Sequence, residues 1–177
     1  IVHEYWHVFQ LGLTRDNAEP VWLWEGGAKI AEELYLQQEY GQSEFDSDLF
    51  PLVATGLSQP ADFEDYVEGD LDINYNTSAF MVLALARELQ EAQGLSEARA
   101  LEVILKDFQA AKLTEPDWKA AFAETFSMSP EEFYATLNQY PTVASDQDWF
   151  EGEVLDVPSL MPSEGLTFTD VLSASAS

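Results

Sequence analysis

The chain contains two histidines, His3 and His7, four residues apart, with Glu4 directly after the first. On a helix, positions i and i+4 lie one above the other, so both imidazoles can face one ion. Glu4, one position on from His3, then falls beside that ion without binding it. Zinc-assisted hydrolysis needs this arrangement. Two neutral imidazoles hold Zn2+, and the neighbouring carboxylate takes a proton from water whose pKa the metal lowers to roughly 7.

A catalytic zinc takes three protein ligands and keeps one position for water. The chain has no third histidine and no cysteine, so the third ligand must be a carboxylate. Glu25, in the stretch WLWEGGAKIAEE, is the candidate. It stands beside tryptophans in an apolar setting, where an unpaired carboxylate is costly. Gly26 and Gly27 follow it and weaken a helix by propensity. They are expected to let this helix approach the histidine helix closely.

HEYWH, a loop, and then PVWLWEGGAKIAEE together resemble the gluzincin metallopeptidases. The likeness is greatest to their peptidase MA-like branch, which has relatives among aminopeptidase N and the bacterial collagenases. The resemblance is sharp over residues 2–33 and extends as a pattern to about residue 140, through YNTSAFMVLALARELQ and WKAAFAETFSMSPEEFYATL. It implies a zinc peptidase in which His3, His7 and Glu25 hold the metal and Glu4 is the general base. Glu32 is implied as an outer carboxylate that orients a ligand histidine, with Glu33 as its rival. Tyr75 is the candidate hydroxyl for a tetrahedral oxyanion, its alternative being a packing tyrosine at a helix start.

The family also places a β-sheet before the first helix, whose edge strand holds substrate by backbone pairing. No such sheet is expected within these residues. The implied partners are therefore a peptide or protein substrate and a sheet-bearing segment, upstream or on a separate chain, that completes the active site. Lys29 stands one turn after Glu25, where thermolysin-like members keep an aspartate, which argues against a close thermolysin relative. A different class of reading is a non-catalytic binding or structural module that keeps the fold. Glu4 discriminates the two, because a scaffold needs no base beside its metal. Likeness to secreted peptidases implies an extracellular, periplasmic or cell-surface location.

The elements that must position these residues are mostly α. The expected architecture is a helical metallopeptidase subdomain over residues 1–140, with a histidine helix, a glutamate-ligand helix and a C-terminal helical lobe. Helical periodicity predicts helices over 1–11, 21–40, 76–93, 96–110, 115–126 and 130–139. Pro20 suits the start of the second helix and Gly41 its stop. Ser129 with Glu132 forms a capping-box pattern. Residues 42–74 read as loops with short helical turns. Residues 141–177 read as an acidic tail or linker, packing locally through Trp149 and Phe150.

Composition bounds the rest. The 177 residues carry 33 acidic and 7 basic side chains, formally −26. Such a surface repels nucleic acid and anionic membranes. No apolar run is long enough for a membrane span. Asp70, Asp72 and Asn74 alternate as in a calcium loop, but Tyr75 and Met81 stand where that loop needs glycine and glutamate.

Overall fold

The computed structural model describes residues 1–14, 18–43, 57–67, 71–140, 160, 162–163 and 165–174. The protein is mostly helical, and the described residues contain no strand. In chain order the helices are α1 (Val2–Thr14), α2 (Val21–Tyr40), a 3-10 turn (Pro60–Glu64) and α3 (Leu71–Gln93). Next comes α4, which begins at Glu97–Glu102, passes through a π-helical turn at Val103–Asp107 and ends at Phe108–Ala111. The last are α5 (Trp118–Phe126), α6 (Pro130–Leu137) and α7 (Phe168–Leu172). Among the described helices, none is long and apolar enough to cross a membrane.

α2 and α3 form the centre. Trp22, Leu23, Ala28, Ile30, Ala31 and Leu34 of α2 are fully buried, as is nearly all of α3 from Ala79 to Ala86. A helix buried around its whole circumference is a core helix. α2 begins after Pro20 and ends at Gly41, which sits at φ 60° and donates its N–H to the Gln37 carbonyl. Only a left-handed residue can close a helix that way, and glycine adopts that conformation without steric cost.

The two glycines after Glu25 have separate tasks. A Cβ on Gly26 would lie 2.3 Å from the Ser78 carbonyl oxygen of α3. Gly26 therefore permits the contact of α2 with α3, not with α1. A Cβ on Gly27 would lie 3.3 Å from Gln10 Nε2 of α1 and 3.3 Å from Leu105 of the π turn. The close approach expected for both glycines thus holds toward α1 for Gly27 alone. Gly26→Ala is expected to destabilise the protein by about 1–3 kcal/mol or more, because backbone must yield. A lowered urea midpoint at unchanged slope would show it, and a midpoint equal to the parent's would refute the tight contact.

Several boundaries differ from expectation. α1 continues to Thr14, whose side chain is buried, so Gly12 to Thr14 are helix instead of loop. α3 starts at Leu71. α5 starts at Trp118, because the Asp117 side chain accepts from the Lys119 N–H and caps it there. α6 has the full reciprocal capping box of Ser129 and Glu132. Within the expected tail, a second capping box, Thr167 with Asp170, opens α7. Val171 of α7 is fully buried, and the Phe168 ring meets Trp6 edge-on at 5.3 Å. Part of the tail is therefore folded onto α1 and the core. Trp149 and Phe150 lie outside the described residues.

Among the described residues the scarce cations are engaged. Glu102 is fully buried and accepts from Arg99 and Lys106 at 2.7 Å each, while Arg99 also pairs with Asp107 at 2.6 Å. Two cations compensate the desolvation that would penalise one buried carboxylate. Lys119 bridges Glu64 and Glu131, Arg87 pairs with Glu91, and Lys29 pairs with Glu32.

Candidate metal centre

α1 buries an unusual face. His3, Trp6, Gln10 and Thr14 point inward, one per turn, while Tyr5 and Val8 are 72% and 65% exposed. An ordinary amphipathic helix would turn its apolar residues inward. Here the inward stripe is mainly polar: His3 meets Glu25 of α2, and Gln10 donates to the Trp24 carbonyl.

His3 of this stripe, the half-buried His7 and Glu25 of α2 bring three ligand atoms together. His3 Nε2 lies 3.1 Å from Glu25 Oε2, His7 Nε2 lies 3.3 Å from the same oxygen, and the two Nε2 atoms are 3.1 Å apart. The imidazole rings meet edge-on, with centroids 4.7 Å apart. His3 and Glu25 are buried, at 9% and 3% exposure. Glu25 is the buried carboxylate expected from its apolar neighbours. Trp22 packs into the core and donates its Nε1–H to the Tyr134 hydroxyl at 3.0 Å. Trp24 stacks flat on His7 at 5.1 Å, with planes 8° apart.

Electrostatics shows what these atoms require. Burial alone would raise the Glu25 carboxyl, but hydrogen bonds from His3, His7 and Tyr66 outweigh it and hold the group at about 2. Burial works against a charged His7, yet hydrogen bonds to Glu25 and Gln10 and the nearby Glu4 carboxylate raise its pKa. Two imidazole nitrogens and a carboxylate oxygen at these separations cannot all present lone pairs without positive charge among them. A proton or a metal cation answers that need. Two nitrogen donors and one oxygen donor are a ligand set that suits zinc.

Glu4 is exposed on α1 beside the cluster, close enough for its charge to raise both His7 and Tyr66. Tyr75 sets its ring edge-on to His3, with centroids 5.1 Å apart. Glu32 pairs with Lys29 at 3.2 Å. Glu33, its rival, is buried on α2 and accepts from Gln37 Nε2 at 2.8 Å.

Two residues with no motif of their own join the site. Tyr66 is 53% exposed, and its hydroxyl donates to Glu25 Oε1. The pKa of Tyr66 is raised by burial of the phenol and by that bond. Its position is set by α3, since the buried Asn74 carboxamide clasps both backbone groups of Val67, at 2.9 and 2.8 Å. That clasp is how Asn74 of the calcium-like alternation is used. Asp70 lies outside the described residues. Gln10 is the second addition, bonded to His7.

Behind Trp24, Lys112 is buried, with Nζ 6.0 Å from the Trp24 ring centroid and donating to the Glu19 carbonyl at 2.8 Å. Burial pulls this lysine down to about 7.

No protein-family model, curated protein or solved structure matches the chain.

Proposed function

We propose that the protein is a zinc-dependent peptide hydrolase of the gluzincin kind. The observation that carries the reading is the convergence of His3 Nε2, His7 Nε2 and Glu25 Oε2 beside an exposed Glu4. His3, His7 and Glu25 would hold the metal, which when bound polarises a carbonyl and acidifies water. Glu4 is the general base: it takes a proton from the attacking water and passes it to the leaving amine as the peptide bond breaks. Its place next to His3, on the same helix, keeps the base and the ligands in a fixed relation.

The Tyr66 hydroxyl donates to the ligand carboxylate, and donation to the oxyanion of the tetrahedral species is its role in this reading. Tyr75, whose ring rests on His3, is the second phenol at the site.

The test is zinc content together with hydrolysis. Elemental analysis should find about one zinc per folded chain, as expected for a three-ligand site. Cleavage of a peptide library should stop on chelation and return with added zinc. A folded chain that takes up no zinc, or cleavage indifferent to chelation, would overturn the reading.

A further inference from the structure

Gln10 is fully buried, one turn after His7 on the inward face of α1. Its two amide atoms are both committed. Nε2 donates to the Trp24 carbonyl at 3.0 Å, and that carbonyl can only accept. The amide orientation is therefore fixed, and Oε1 is the atom that faces His7 Nδ1 at 2.8 Å. An amide oxygen only accepts, so Nδ1 must carry the proton.

We infer that Gln10 is a positioning residue for His7, holding its proton on Nδ1 so that Nε2 presents its lone pair to a zinc ion shared with His3 and Glu25. The inference rests on the proposed metal site. The partner of a ligand imidazole's other nitrogen sets both its tautomer and its ring orientation. Here the same amide reaches the backbone of Trp24, the residue before Glu25, and Trp24 stacks on the His7 ring. One side chain thus ties a ligand of α1 to the strip of α2 that carries the next ligand. Gly27 belongs to the device, because a Cβ there would crowd Gln10 Nε2 at 3.3 Å.

The experiment uses the full chain, loaded with zinc and labelled with nitrogen-15 at histidine. The parent should show a downfield His7 Nδ1 proton that exchanges slowly with water. Gln10→Leu should make that proton exchange quickly and weaken zinc binding about 10- to 100-fold by chelator competition, the range typical of outer-shell partners. Gln10→Glu keeps an acceptor for His7 Nδ1 while giving up the donor to the Trp24 carbonyl, and should restore the protected proton. A zinc-loaded parent with the His7 proton on Nε2 would overturn the inference, and needs no variant to fold. Parental affinity and a protected Nδ1 proton in Gln10→Leu would overturn it while leaving the metal site standing. A parent that binds no zinc would remove both.

Discussion

Glu4→Gln is expected to leave the metal in place and to remove hydrolysis. The two side chains have the same shape, but an amide oxygen is too weak a base to take the proton. Proton transfer by a positioned group contributes about 10²–10⁴-fold, so kcat/KM should fall at least that far. Glu4 is exposed on α1 and is not among the ligand atoms that converge on one point. Zinc stoichiometry should therefore equal the parent's, and stability should stay within about 0.5 kcal/mol, as for surface changes in general. The decisive comparison measures zinc content and peptide cleavage on the same preparations. Cleavage at the parental rate by the variant would take Glu4 out of the chemistry and leave a metal site without a base.

The largest effect on binding should come from Glu25→Ala. Among the described residues, Glu25 is the only carboxylate in the cluster, and it is the partner of both imidazoles. Its loss leaves two neutral nitrogens, and zinc affinity should drop by more than the roughly 100-fold expected for any outer-shell partner. Chelator competition on parent and variant measures this, and undiminished zinc retention would remove Glu25 from the site. The metal-free protein gives a second signature. Folding holds the Glu25 carboxyl at about 2, below its unfolded value near 4.3. The unfolded chain binds more protons in that interval, so this group stabilises the fold above pH about 4.3 and ceases to do so as pH falls toward 2. Glu25→Ala should lack that share of the acid sensitivity.

Much of this architecture is readable from local chemistry. Pro20 and Gly41 bracket α2 because one fits a helix start and the other its left-handed stop. Ser129 and Glu132 bracket the start of α6 for the same kind of reason. The spacing of His3, Glu4 and His7 marks the site itself, since helical geometry alone puts both imidazoles on one face. What stays hidden depends on tertiary contact. Tyr66 lies in an acidic stretch without periodicity and reaches Glu25 because Asn74 of α3 clasps its neighbour. Gln10 shares the inward stripe of the histidines, a signal that was present, but glutamine at i+3 carries no motif. Gly26 signals a close approach without naming the neighbour, which is Ser78. α7 was obscured by small and acidic residues whose composition resembles a linker, although its capping box is local.

The inward face of α1 has a consequence for how that helix is held. Trp6 is the one apolar side chain that α1 buries fully, and its other inward residues are His3, Gln10 and Thr14. Apolar burial therefore fastens α1 lightly compared with α2 and α3. In the proposed site, an ion held by His3 and His7 on one side and Glu25 on the other would act as a clasp across α1 and α2, with His3 and Glu25 lying 22 residues apart in the chain. If zinc binds there as proposed, its binding would stabilise the docked position of α1 over any undocked one. Occupancy of the site and order in the first fourteen residues would then be coupled.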